Sequence, residues 1–208
     1  MAAQAVEYFI LLTVAGTQPE EYEENFIVLF SWAVISKSRN QVLTKEQLYV
    51  QPSQSVSPSS LPGGIKPEAV SSAAPLPVII KQFHAAVSKL GHSFMLLCPS
   101  PLPLRHFIHR EAQAHGIQLE NYFYQYVDIN TEFSRGFPDN QRPNTLEEID
   151  SSLTEGLVLG IDVAPSSPKL GLAELKMVAD ITQKLIMQGH TFGNPDRIKK
   201  ENDSNAPA

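Results

Sequence analysis

The feature that most constrains the fold is an apolar run near the start of the chain, which leads into the turn Ala15-Gly16-Thr17. Residues 8–14 read Tyr-Phe-Ile-Leu-Leu-Thr-Val, and a short apolar run that ends at a glycine is typical of a buried β-strand. The run is shorter than the roughly 18 residues that a membrane span needs. The first basic residue is Lys37, so the run also lacks the basic flank of a secretory signal. It therefore predicts a buried first strand, and we expect no membrane contact.

The composition is that of one globular domain. Of 208 residues, 42% are hydrophobic and 18% are charged, which is enough to bury a substantial core. A formal net charge of −6 gives no general attraction to phosphate backbones, because that attraction requires clustered Lys and Arg. The single cysteine, Cys98, cannot form an internal disulfide and indicates a reducing compartment. Any contact with nucleic acid is therefore expected to be local.

Apolar periodicity and turn residues predict a mixed sheet flanked by helices, an α/β fold. Two further long strands, Phe26–Ile35 and Gln41–Gln51, follow the first across short polar turns and indicate an antiparallel meander. The predicted elements downstream are a helix over Leu76–Leu90, a strand over Phe94–Cys98, a helix over Leu104–His115 ending at Gly116, a strand over Tyr122–Val127, a helix from the cap Asp128 through Phe133, a helix capped by Thr145 and Glu148, and a last helix from Ser167 and Pro168 to Gly189. We expect one domain over residues 1–190 and a disordered tail over 191–208.

Several segments resemble, in register, the DEDD exonucleases of the ribonuclease H-like fold. In that family a long third strand ends in a proline, and a loop then leads to a small-residue turn before a helix. The segments Tyr49-Val50-Gln51-Pro52 and Gly63-Gly64-Ile65-Lys66 occupy those places here. The resemblance covers about the first 190 residues and implies a ribonuclease H-like, DEDD exonuclease-type sheet flanked by helices.

The same resemblance implies that the metal site of the family is degenerate in this chain. The family has an Asp and a Glu in its first strand, an Asp after its fourth strand, and a His and an Asp in its last helix. The matching residues here are Thr13, Ala15, Pro103 (or, as an alternative, Pro99), Lys169 and Glu174. Because two divalent ions must be held by carboxylates from separate elements, the resemblance implies no metal, no cofactor and no catalytic residue.

A closer resemblance is to the N-terminal domain of the epithelial splicing regulatory proteins, the family that includes Fusilli. The segments that carry it are Tyr8–Gly16, Phe26–Trp32, the helix with Phe83 and Val87, the residues Phe123, Tyr124, Asp128, Glu132 and Phe133, and Asn194-Pro195-Asp196-Arg197. The resemblance implies a nuclear RNA-binding regulator of alternative splicing. No RNP1-like sequence occurs in this chain, which we expect to be a fragment or a short isoform.

The best local basic patch lies on the predicted helix 104–115. Arg105, His109 and Arg110 are candidate contacts to RNA phosphates, and a solvated helix face is the alternative. His106, His109 and Cys98 also suggest zinc, but a fourth ligand is missing. The aromatic residues between Tyr122 and Tyr126 are either a base-stacking strand or part of the core.

Three functions remain open on the sequence. The first is weak binding of RNA or another single-stranded nucleic acid by a groove that has lost its carboxylates. The second is an interaction module for splicing-related proteins. The third is a divergent but active 3'-5' exonuclease that uses Glu174.

Overall fold

The protein folds around a mixed sheet with helices on both faces. The computed structural model describes residues 6–18, 25–91, 93–137, 145–146, 148–149, 161 and 170–198. The strands are β1 (Tyr8–Gly16), β2 (Ile27–Ser36), β3 (Gln41–Gln51), β4 (Ala74–Pro75), β5 (Phe94–Cys98), β6 (Gln125–Asp128) and β7 (Asp196–Arg197). The α-helices whose bounds lie within the described residues are α1 (Pro67–Ser71), α2 (Leu76–Val87), α3 (Arg110–Ala114), α4 (Ile129–Gly136) and α5 (Leu172–Met187). A π-helical segment, Pro103–His109, runs directly into α3.

The first strand is the centre of the sheet, as its apolar sequence predicts. The strand order is β4-β3-β2-β1-β5-β6-β7. β1 pairs antiparallel with β2 and parallel with β5, and β2 pairs antiparallel with β3, so the predicted meander is confirmed. A strand buried on both faces is expected to be apolar throughout, which explains why β1 and β2 show no alternation of polar residues.

Alternate residues of β1 enter two different cores. Ile10 and Leu12 pack with α2 on one face, whereas Phe9 and Leu11 pack with α5 on the other. Successive side chains of a strand point to opposite faces, so both helix layers depend on the register of this one strand. Within the part of the chain that the structure describes, no helix is long and apolar enough to cross a membrane.

Predictions based on local signals are confirmed closely. β5 has the predicted bounds, and α2 is followed by the 3-10 turn Ser88–Leu90. Asp128 caps α4, since its Oδ1 accepts hydrogen bonds from the amides of Asn130 and Thr131. Gly116 and Gly189 have positive φ after helix ends, at +61° and +70°. Thr145 Oγ1 accepts the Glu148 amide at 3.2 Å, which is half of the predicted capping box.

The predicted strand over Tyr122–Val127 is wrong in its first half. Asn121–Tyr124 is a 3-10 turn, and β6 begins only at Gln125. The aromatic residues favour this turn because each finds a different partner: Phe123 is buried, while Tyr122 bonds His84 at 3.1 Å. The helix α4, which was predicted to end at Phe133, continues to Gly136.

The last helix begins later than its sequence suggests. α5 starts at Leu172 after Gly171, whereas the predicted start at Ser167 and Pro168 lies outside the described residues. Gly171 has φ +58°, a conformation that non-glycine residues rarely adopt. The Leu172 amide donates to Gln47 Oε1 at 2.8 Å, so a side chain from β3 caps α5. The sequence around Leu172 does not predict this cap, because Gln47 is distant in the chain.

Packing continues beyond residue 190, where the domain was expected to end. The Phe192 ring lies 4.4 Å from the Phe9 ring, and β7 pairs antiparallel with β6. Residues 191–198 therefore belong to the folded part of the chain, while the rest of the predicted tail lies outside the described residues.

Candidate functional groove

A cavity of about 350 Å³ lies where β1 ends at the Gly16-Thr17 turn, and we call it the β1-end cavity. It is lined by Val14, Ala15, Gly16, Thr17, Gln18, Pro62, Phe107, Leu146, Leu170, Glu174 and Met177. Seven of these eleven lining residues are apolar. Among the described residues that line it, Glu174 is the only ionisable one.

The structure brings two of the five degenerate exonuclease positions into this cavity. Ala15 on β1 and Glu174 in the first turn of α5 both line it. Thr13 is 1% exposed and follows Phe9 and Leu11 on the face covered by α5. Pro103 is buried at the start of the π-helical segment. Lys169 lies outside the described residues.

The described residues of this site do not fit the metal pair that the exonuclease fold implies. Divalent ions of this kind are held by several oxygen ligands, chiefly carboxylates. Within the described ranges, no group of three or more His, Cys, Asp or Glu side chains is placed to hold a metal. Thr13 faces Ser31 across the β1–β2 ladder, and both hydroxyls are buried with no hydrogen-bond partner among the described residues. Neutral hydroxyls in this place do not supply the charge that two cations require.

The zinc alternative receives no support either. Cys98 is fully buried, and burial raises the pKa of its thiol, so a thiolate ligand is disfavoured. The His109 ring nitrogen Nε2 lies 2.8 Å from the Phe123 carbonyl oxygen. His106 is exposed and has no second ligand beside it in the described part of the chain.

The helical segment that begins at Pro103 forms one wall of the cavity. Phe107 lies against Gly16, so closely that a Cβ added at Gly16 would overlap the ring. This close approach explains the glycine at the end of β1. Arg105 and Arg110 lie on the exposed side of the same helical segment as Phe107, whereas His109 is half-buried.

Two residues of this segment hold the beginning of β2. Glu111 Oε1 accepts a hydrogen bond from the Ile27 amide, and Arg110 donates one to the Asn25 carbonyl oxygen. Thr17 Oγ1 accepts from the Phe26 amide at 2.9 Å. These bonds keep the ends of β1 and β2 together beside the cavity.

Glu111 is the residue that sequence reasoning missed. It is 4% exposed, and burial raises the pKa of its carboxyl to about 7, although the Ile27 amide and Arg110 oppose the rise. The available signal was its position: Glu111 lies on the helix face of Leu104, Ile108 and Ala112, which is otherwise apolar.

The predicted basic patch is smaller than its sequence suggests. Arg105 and Arg110 are exposed, but His109 is half-buried against Tyr124, with ring centroids 4.6 Å apart. Burial lowers the pKa of His109 and the neighbouring Arg105 lowers it further, although the hydrogen bond with Phe123 opposes the change, so the charged form of His109 is disfavoured. Two arginines therefore carry the positive charge of the patch.

Comparison with known proteins identifies the fold. No protein-family model matches the sequence. The nuclease domain of 3'hExo, a DEDDh family member solved with rAMP, matches with a TM-score of 0.81 and 16% identity, over 95% of this chain and 100% of that one. A 3'-exonuclease solved in a study of histone mRNA stem-loop recognition matches with a TM-score of 0.78 and 15% identity, over 95% and 89%. Cell-death related nuclease 4 matches with a TM-score of 0.71 and 16% identity, over 88% and 65%. The chain therefore has the ribonuclease H-like fold of DEDD-type exonucleases, as its sequence predicts.

Proposed function

We propose that this chain is a catalytically inactive exonuclease-like domain. One observation carries the proposal: at the end of β1 the carboxylate positions of the exonuclease family hold Thr13 and Ala15, and Glu174 is the only carboxylate among the described residues of the cavity wall. Hydrolysis by two metal ions requires that both the attacking and the leaving oxygen be clamped. One carboxylate does not assemble such a clamp.

The biological setting that we propose comes from the sequence resemblance to the epithelial splicing regulatory proteins. In that setting the domain belongs to a nuclear RNA-binding regulator of alternative pre-mRNA splicing. One similar structure concerns recognition of an mRNA stem-loop, which agrees with a role near RNA. Sequence-specific reading of RNA would be done by recognition motifs outside this chain.

The proposed inactivity predicts that the purified chain does not shorten labelled single-stranded RNA or DNA in Mg²⁺ or Mn²⁺. Glu174→Ala, prepared in parallel, is the control for contaminating nuclease, because contamination is unaffected by the substitution. We expect both proteins to leave the oligonucleotides intact. Trimming by the wild type that disappears in Glu174→Ala would instead establish a divergent active exonuclease.

We further propose weak nucleic-acid binding through the two exposed arginines of the patch. Each phosphate contact to a single strand contributes a slope of about −0.7 to log K against log salt. For two contacts we therefore expect weak binding with a slope near −1.4 by that rule. The double variant Arg105→Glu, Arg110→Glu should lose this binding. The measurement is a salt series with short single-stranded oligonucleotides.

A matched control distinguishes a specific effect of the patch on binding from an effect of net charge. Lys81→Glu, Lys89→Glu makes the same charge change at exposed positions in and just after α2, and should bind like the wild type. Binding that is undetectable at about 50 mM salt, where phosphate contacts are strong, would favour the protein-interaction role. An equal loss of binding in both double variants would show a general effect of net charge and would contradict a specific role of the patch.

A further inference from the structure

We infer that a second cleft, at the start of β1, binds a free nucleoside monophosphate. The cleft measures about 500 Å³ and is lined by residues 6–8, by residues 36–38 and by Ile186; we call it the β1-start cleft. Its volume lies in the range of about 300–1,000 Å³ that is usual for small-molecule sites. Tyr8 lies in this cleft and Ala15 in the β1-end cavity, and at roughly 3.3 Å per residue the two sites are about 23 Å apart. The inference is therefore independent of the function proposed above.

Backbone hydrogen bonds hold the walls of the β1-start cleft in place. The Lys37 amide donates to the Glu7 carbonyl oxygen at 2.9 Å, and the Glu7 amide donates to the Ser93 carbonyl oxygen at 2.8 Å. Ser36 is 4% exposed, and its Oγ accepts the Arg39 amide at 3.4 Å. These bonds join the turn between β2 and β3 to the start of β1 and to the segment before β5. A ligand therefore meets polar groups whose backbone is already ordered, which lowers the entropic cost of binding.

The turn between β2 and β3 offers the groups that a phosphate requires. Lys37 is exposed and forms no ion pair with a side chain that the structure describes. A lysine ammonium binds phosphate as a point charge. Ser38 Oγ lies 3.3 Å from Ser36 Oγ, so when Ser36 donates this hydrogen bond, the Ser38 hydroxyl is left to donate to a phosphate oxygen. A cation and a hydroxyl donor thus lie on neighbouring residues of one cleft wall.

The other walls suit the nucleoside part of such a ligand. The exposed Glu7 carboxylate accepts the Ser93 hydroxyl at 3.4 Å, and a carboxylate has further lone pairs for donors such as ribose hydroxyls or a base amino group. Val6, Tyr8 and Ile186 are half-buried and line the same cleft, so they offer apolar and aromatic surface to the flat face of a base. An inorganic phosphate leaves these walls unused. An acidic peptide would bring a second carboxylate towards Glu7, which repels it.

The test is titration of the full chain with adenosine 5'-monophosphate, followed by amide chemical shifts in the NMR spectrum. With a Kd of about 1 mM, which corresponds to about −4 kcal/mol, we expect shifts at Glu7, Lys37 and Ser38 and none at Gly16. Adenosine lacks the phosphate, while ribose 5-phosphate and inorganic phosphate lack the base. Each of the three should bind at least about tenfold more weakly, because each leaves one part of the cleft unfilled.

Two variants and one control identify the site. Lys37→Glu reverses the charge that faces the phosphate and should weaken binding by about tenfold or more. Ser38→Glu brings a carboxylate to the same wall and should have a similar effect. Both positions are exposed, so neither substitution disturbs the core. Lys81→Glu makes the same charge change as Lys37→Glu at an exposed position of α2, and should bind like the wild type.

Four results would overturn the inference. They are the absence of shifts at the β1-start cleft, equal binding of ribose 5-phosphate, equal binding of the acidic peptide acetyl-Asp-Glu-amide, and binding that is unchanged in both Lys37→Glu and Ser38→Glu. The double variant Arg105→Glu, Arg110→Glu should still bind the mononucleotide, since its substitutions lie on another segment. A loss of mononucleotide binding in that variant would place the site at the patch and would also contradict the inference.

Discussion

Replacing Glu132 with alanine is expected to lower the free energy of unfolding by about 3 kcal/mol. The Glu132 side chain is 5% exposed and lies 2.6 Å from both His190 Nε2 and Arg135 Nη1. It also accepts the Gly193 amide at 3.2 Å. The substitution removes the shared acceptor and leaves these donors without it. Urea unfolding followed by the fluorescence of the single tryptophan, Trp32, which is 1% exposed, measures the loss.

The partner Arg135 provides the matched control for this prediction. Its side chain is 53% exposed, and surface ion pairs contribute about 0–1 kcal/mol. Arg135→Gln should therefore change stability far less than Glu132→Ala. The network also joins α4 to the segment after α5, so Glu132→Ala should speed amide exchange at Gly193. If Glu132→Ala and Arg135→Gln lowered the free energy of unfolding by equally small amounts, the buried carboxylate would not be the group that holds the segment after α5 in place.

Replacing Glu111 with glutamine is expected to remove a pH dependence from the stability of the domain. Burial raises the pKa of the Glu111 carboxyl from 4.5 to about 7. Between these values Glu111 binds more protons in the folded chain than in the unfolded chain, so its contribution to stability is greatest below about pH 4.5 and falls as the pH rises towards 7. Each pKa unit corresponds to about 1.4 kcal/mol, so the whole rise from 4.5 to about 7 corresponds to about 3.5 kcal/mol.

Glutamine suits this test because its side-chain oxygen can still accept the Ile27 amide without being ionised. Above pH 7 we expect Glu111→Gln to be more stable than the wild type, and between pH 5 and 7 to have a flatter profile. Urea unfolding at a series of pH values measures both, and Glu68→Gln at an exposed site controls for net charge. Parallel profiles for wild type and Glu111→Gln would mean that another group sets the pH dependence.

The candidate site was only partly predictable from sequence. The resemblance located Ala15 and Glu174, which both line the β1-end cavity. It did not indicate that Phe107 would lie against Gly16, or that Glu111 would accept the Ile27 amide. These contacts join residues that are far apart in the chain, and a single sequence contains no direct signal for such distances. The composition of the basic patch was also not fully predictable, because His109 forms a hydrogen bond with the Phe123 carbonyl oxygen.

What the sequence by itself determined is the set of features that depend on neighbours along the chain. The apolar run of β1 predicted a central buried strand, and Asp128 and Gly116 predicted the boundaries of helices, because burial patterns and caps act within a few residues. The tertiary structure alone decided where α5 starts, which residues after 190 pack, and that Asn121–Tyr124 forms a 3-10 turn. In each of these cases a distant partner, such as Gln47 at the start of α5, outweighs the weak local preference of the backbone.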